Sequence, residues 1–246
     1  MNNPHLNLLK EIKWVKKSFE FLDLTLEMPK AHPDKLDVRK VKKLIGSMPV
    51  VGHTAWYLPI GSPFEELRTY ALQELEKCAA VFEKLGVKKM NVHPDTSLPI
   101  KEKHIIESNI WSLKRLVATG RDYGLEIMLE NTPGLFSRPE VLGEVFAKVP
   151  KLRLHLDIGH ANIAKRNTTP SILSKFHKRL VHVHISDNRG KSDQHLAIGK
   201  GKVDWARMLG ALKGTGYDDT ITLEVFTSPE ERLLSIRKLR SIWDKL

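Results

Sequence analysis

The sequence predicts an α/β protein, a (βα)8 TIM barrel whose first strand is very short or missing. Three observations predict it. Strand-like apolar runs alternate with helical patterns along all 246 residues, an order that builds parallel βαβ units. The length suits such a barrel, which takes about 250 residues as one unit, and 41% of the residues are hydrophobic, enough to fill a core. Acidic residues and histidines fall at the C-terminal ends of the strand-like runs, where barrels of this class carry their chemistry. No composition shift or linker interrupts the pattern, so we expect a single domain, residues 1–246.

The first helical pattern, Leu6–Lys17, has only five residues before it, too few for a full strand. Apolar runs follow at Phe19–Leu26, Val50–His53, Lys89–His93, Leu125–Glu130, Leu152–Asp157, Leu180–Ile185 and Thr220–Phe226. That makes seven strands, where closure of this barrel takes about eight. A curtailed first strand leaves an edge that a partner chain, in a homo-oligomer, would cover. Ser62-Pro63-Phe64-Glu65 reads as a capping box opening a helix that runs to Leu85 before Gly86. Ser137-Arg138-Pro139-Glu140 and Ser228-Pro229-Glu230-Glu231 repeat that grammar. The helix through Ile105, Leu113 and Leu116 stops near Tyr123-Gly124, and Asp204 caps a helix starting at Trp205.

Composition narrows the class. A single cysteine, Cys78 in a helical pattern, rules out a disulfide framework and a multi-cysteine zinc knuckle. The N-terminus lacks a secretory layout and no stretch has transmembrane length, so a cytoplasmic protein is expected. The net charge of +11 suits a nucleic-acid or phosphate-bearing partner. A Lys-rich solvated surface explains it better: Lys40-Val41-Lys42-Lys43 and Lys13 with Lys16-Lys17 look like outer helix faces without stacking aromatics.

The strand ends, read in order, supply Glu27, His53, His93, Glu130, Asp157 with His160, His184 and Glu224. Asp193 and His195 follow in the long polar stretch after His182-Val183-His184. Imidazole and carboxylate in combination suit a divalent metal such as Zn, Mn, Fe or Co. Glu130, Asp157, His184 and Glu224 group around one ion. His53 and His93, with Glu130 bridging, group around a second, and His160, Asp193 and His195 around a third. His182 and His155 lie one pleat deeper on their strands, as supports or packing. Gly199-Lys200-Gly201-Lys202 offers either a phosphate cradle or a plain turn, the turn being favoured because nucleotide-motif spacing is absent.

Taken together, Asn91-Val92-His93-Pro94, Leu129-Glu130-Asn131-Thr132, Asp157-Ile158-Gly159-His160, His182-Val183-His184 with Ser186-Asp187, Asp193-Gln194-His195 with Ile198-Gly199-Lys200-Gly201, and Leu223-Glu224 resemble the xylose-isomerase-like TIM barrels. That superfamily includes sugar phosphate isomerases and epimerases and the endonuclease IV group. Resemblance to the epimerase branch implies one Mn or Co held by Glu130, Asp157, His184 and Glu224. The two glutamates would act as acid and base beside a metal-polarised carbonyl, and His160 and Arg189 would contact substrate oxygens. Resemblance to the nuclease branch implies three zinc ions on His53, His93, Glu130, Asp157, His160, His184, Asp193, His195 and Glu224, cutting DNA at abasic sites. Trp56, Tyr57 and Leu58 would insert into a duplex in that branch, or form a lid over a small substrate in the other. The curtailed start and the Ala161-Asn162 that follows His160 favour the isomerase. We therefore expect a metal-dependent isomerase or epimerase of a small sugar or sugar phosphate, with Trp56 among its substrate contacts. The alternatives are the zinc phosphodiesterase and a metal-retaining binding protein without turnover.

Overall fold

A computed structural model describes residues 1–96 and 99–246. They divide into two compact units, Met1–Leu129 with Val145–Leu152, and Glu130–Glu144 with Arg153–Leu246. Among the described residues seven strands alternate with helices, and every recorded strand pairing is parallel. This is the expected α/β TIM-barrel class, with no strand ahead of the first helix among the described residues.

In the first unit, helix α1 (Leu8–Ser18) is capped by Asn7, whose side chain accepts the Lys10 N–H, and it buries Leu8, Ile12 and Val15. Strand β1 (Leu22–Leu26) is buried along its whole length. It pairs with β2 (Val50–Thr54) from Leu22 opposite Val50 to Leu26 opposite Thr54. Helix α2 (Val38–Ile45), capped by Asp37, buries Val41 and Ile45. Lys40, Lys42 and Lys43 stay exposed, so this part of the positive charge is a solvated helix face, as expected. Helix α3 (Glu65–Leu85) ends at Gly86 with φ 82°, a left-handed cap that favours glycine. It seats the fully buried Phe82 against β2 at Gly52, where an added Cβ would lie 2.8 Å from the ring. Strand β3 (Lys89–Val92), helix α4 (Glu102–Asp122) and strand β4 (Glu126–Glu130) complete the series, with Lys89–Val92 paired to Glu126–Leu129.

No strand precedes α1 among the described residues, yet the edge of β1 is partly covered. The Asn2 N–H donates to the Asp23 carbonyl at 3.2 Å, and Asn2 Oδ1 accepts the Thr25 N–H at 2.8 Å. One side-chain amide thus imitates a ladder carbonyl, and Asn2 is buried for that reason.

In the second unit, helix α5 (Pro139–Lys148) begins within the unit, followed by β5 (Arg153–Asp157), the single turn α6 (Ile158–Asn162), α7 (Thr169–Phe176) and β6 (Leu180–Ile185). Helix α8 (Trp205–Lys213), strand β7 (Ile221–Leu223) and helix α9 (Pro229–Trp243) finish it. β5 and β6 are parallel with Asp157 opposite His184 and His155 opposite His182. β7 is shorter than the expected Thr220–Phe226 run. Its pairing continues one residue further, because the Glu224 N–H donates to the Ile185 carbonyl at 3.0 Å.

Asp204 and Ser228 cap α8 and α9 as expected, accepting the Arg207 and Glu231 N–H groups. The other two capping boxes need correction. The Ser62 hydroxyl accepts the Phe64 N–H, and α3 opens at Glu65 without a side-chain cap. Ser137 instead donates to the Thr132 carbonyl at 2.8 Å, so its oxygen ties down the turn after β4. Cys78 is buried, and burial followed by the charges of Glu74 and Asp34 pushes its thiol up to about 12, the inert state expected of it. No helix of the described residues is long and apolar enough to cross a membrane.

Candidate metal centre

The site grows out of strand ends in the second unit. Glu130 closes β4, Asp157 closes β5, His184 lies near the end of β6 and Glu224 follows β7. Donor atoms from all four side chains lie within 4.8 Å of one another, and all four are buried. His184 Nδ1 stands 3.0 Å from Glu224 Oε2. Asp157 Oδ1 accepts the His160 N–H, capping α6. Its other oxygen, Oδ2, has no hydrogen-bond partner among the described residues and lies 3.9 Å from His160 Nδ1.

Three buried carboxylates so close repel one another. Burial, then the charges of Glu224, Glu130 and Asp193, raises the Asp157 carboxyl from 3.8 to about 7, against the pull of His160. Burial would also raise Glu224, but the charge and hydrogen bond of His184 outweigh it and hold the group at about 2. A cluster with surplus negative charge and one oxygen of Asp157 without a hydrogen bond suits a divalent cation. The residues therefore fit the metal expected of them.

Beside this cluster lies a clasp. Asp193 Oδ2 is 3.1 Å from His160 Nε2 and 2.9 Å from His195 Nε2. The remaining ring nitrogens face carbonyls, His160 Nδ1 toward Asn131 at 2.9 Å and His195 Nδ1 toward Glu224 at 3.2 Å. Each of the four ring nitrogens faces an acceptor, Asp193 Oδ2 being shared, which calls for doubly protonated imidazoles. Burial would lower both histidines. For His160 it is overcome by the charge of Asp157 and the bonds to Asp193 and Glu130, and for His195, held at about 9, by the Asp193 bond and then Glu224. Asp193 itself sits below the usual carboxylate range: its bonds to the two histidines override its burial. His195 takes φ 43°, a left-handed backbone rare for a residue with a side chain.

Sequence reasoning gave no separate role to two residues that hold this geometry. Asn131 accepts the Asp157 N–H through Oδ1 at 2.8 Å and donates to the Asp157 carbonyl at 2.9 Å. Asp187, fully buried, accepts the N–H groups of Asn188, Gly199 and Val203 and the Trp205 indole N–H, at 2.8–3.2 Å. It also pairs with Leu196 as an antiparallel bridge. A buried amide after a strand-end glutamate, and an aspartate opening a long loop, were the available signals. Gly199, Lys200 and Lys202 commit their N–H groups to Asp187, Ala197 and Asn188. The Gly199–Lys202 segment is therefore the favoured turn, and the phosphate-cradle reading falls.

In the first unit, His53 at the end of β2 and His93 just past β3 are buried, with ring centroids 4.9 Å apart. Trp56 and Tyr57 are exposed and meet edge to face at 5.7 Å. Arg189 in the second unit is exposed, its N–H donating to Gln194 Oε1.

Parallel strands alternating with helices, with a carboxylate–imidazole cluster at their C-terminal ends, define a protein of the TIM-barrel class. The chain belongs to the xylose isomerase-like TIM barrel family, whose model matches residues 12–242. It is 36% identical over 129 residues to an uncharacterized protein of Methanocaldococcus jannaschii, covering 49% of this chain and 43% of that one. A second uncharacterized protein of the same organism is matched over 62% of its length, so the chain aligns with roughly half of these relatives. It is 31% identical to an L-ribulose 3-epimerase of Methylomonas over 65% of this chain and 52% of that one. It is also 26% identical to a probable endonuclease 4 of Aquifex aeolicus over 79% and 77%. Among solved structures it is similar to a D-tagatose 3-epimerase-like protein, with TM-score 0.88, 25% identity, and 97% and 94% of the two chains covered.

Proposed function

We propose that this chain is a divalent-metal-dependent epimerase or isomerase of a small sugar or sugar phosphate. One observation carries the reading: Glu130, Asp157, His184 and Glu224 bring donor atoms within 4.8 Å of one another in a buried position. These four would hold the ion. A bound ion supplies Lewis acidity, polarising a substrate carbonyl and making the neighbouring C–H more acidic. The chain's own groups do the rest. Glu224, kept ionised by His184, takes a proton from the carbon beside the carbonyl, and Glu130 is the partner that returns one. His160 and Arg189 are assigned to substrate oxygens. The relatives' names, an L-ribulose 3-epimerase and a D-tagatose 3-epimerase-like protein, support the same chemistry.

The endonuclease reading is favoured by the Aquifex relative and by the nine donor residues. The clasp is compatible with either reading: Nε2 of His160 and His195 converge on Asp193 Oδ2 while each opposite ring nitrogen faces a backbone carbonyl, an arrangement that also serves metal ligands. The deciding experiment measures bound metal, then supplies the metal-loaded protein with a ketose panel and, separately, an abasic-site oligonucleotide. Epimerised sugar with an intact oligonucleotide is expected. Strand cleavage without sugar turnover overturns the proposal.

A further inference from the structure

Directly beneath the four candidate ligands lies a second polar layer. His155 and His182 sit two residues before Asp157 and His184, so they point to the same face of their strands one pleat deeper. Both are fully buried. Interior layers of such barrels are normally filled by branched apolar side chains, and buried imidazoles cost stability unless their polar atoms are used. His182 has a clear role in packing: Nδ1 meets Thr220 Oγ1 at 2.7 Å and Nε2 meets Thr222 Oγ1 at 3.2 Å. Those two hydroxyls, one on β7 and one on the residue before it, fix its ring.

His155 is placed differently. Its Nδ1 stands 3.2 Å from Glu130 Oε2, while Glu130 Oε1 is 3.2 Å from His160 Nδ1. Its ring also packs edge-on against His184, centroids 4.0 Å apart, and lies 4.8 Å from His182. One imidazole therefore touches two candidate ligands from two strands, backed by a histidine that is itself pinned by two threonines.

We propose that His155 is a positioning residue, acting through Nδ1 to fix the orientation of the Glu130 carboxylate toward the ion and the substrate proton. The inference rests on the metal-dependent reading above. A contact of this kind behind a ligand commonly contributes 10–100-fold in metal affinity or activity.

The test compares H155N, whose amide stands near the Nδ1 position, with H155Q, whose amide reaches the Nε2 position, and with the apolar H155L. Metal-stripped proteins are titrated with Mn2+ by calorimetry, and kcat and KM are measured separately for the ketose that the wild type turns over. H155L and H155Q should lose 10–100-fold in Mn2+ affinity and in kcat with KM little changed, and H155N should recover most of both. If all three bind Mn2+ like the wild type, the inference is overturned. Equal losses in H155N and H155Q overturn it too, since they would report packing alone. If H155L fails to fold, the Asn–Gln comparison decides by itself. Wild-type protein that binds none of Mn2+, Co2+ and Zn2+ defeats the functional reading instead, so the two failures are distinguishable.

Discussion

Replacing Asp157 with asparagine should stabilise the metal-free protein while removing its response to metal. The Asp157 carboxyl is raised from 3.8 to about 7 by burial and by its carboxylate neighbours. The sign follows from linkage. The unfolded chain gives up this proton near its ordinary pKa, whereas the folded state holds it to about 7. The penalty on folding thus grows as pH rises between those values and is complete above the folded value. From 3.8 to about 7 the penalty amounts to about 4 kcal/mol. Asparagine carries no such charge, and its oxygen can still accept the His160 N–H that Oδ1 accepts now. In EDTA at about pH 8 the D157N protein should melt about 10 °C above wild type. Near pH 5 the gap should shrink to under ~2 kcal/mol. With Mn2+ at about a hundredfold its dissociation constant the wild type should regain about 2.7 kcal/mol, and D157N should gain little. Thermal melts at the two pH values, with and without metal, measure all of this. A D157N protein that melts below wild type in EDTA at the higher pH, or shows the full metal-induced rise, would refute the reasoning.

Further outcomes follow from the same geometry. Mn2+ competes with the proton that Asp157 holds up to about 7, so apparent affinity should climb by up to about tenfold per pH unit below that point and then flatten. Titrations in buffers of different ionisation enthalpy would count the protons released. E224Q should abolish sugar turnover and reduce bound metal, checked by elemental analysis beside the rate; an unchanged rate removes Glu224 from the mechanism. D187A strands four N–H donors and should cost upward of ~3 kcal/mol, with faster proteolysis between residues 188 and 203 than in wild type. G201A places a Cβ against Asp187 Oδ1 and the Asn188 carbonyl and should lower the melting temperature; a neutral result would mean the loop relaxes around it.

Much of the architecture was legible because periodicity and punctuation are local. Gly86, Asp204 and Ser228 end or begin helices where the sequence places them. Ser62 and Ser137 misled because a hydroxyl near a helix start can serve a turn instead, and only the path of the backbone decides which N–H or carbonyl it meets. The convergence of Glu130, Asp157, His184 and Glu224 was readable because every parallel strand delivers its last residues to the same end. Asn131 and Asp187 were not assigned roles, since their partners are backbone groups that belong to distant positions only after folding. The committed N–H groups of the Gly199–Lys202 turn were hidden for the same reason.

The carboxylate of Asp187 has a consequence for how this protein can change. It gathers donors from Gly199, Val203 and Trp205 onto one buried point and is zipped to Leu196 across the loop's neck. Arg189, Lys191 and Ser192 consequently sit on a tip hung from that anchor, whereas Asp193 in the same stretch is held by His160 and His195. Under the proposed function, substrate preference should be adjustable at Arg189, Lys191 and Ser192, since residues there can be exchanged while the anchor holds the strand ends in place.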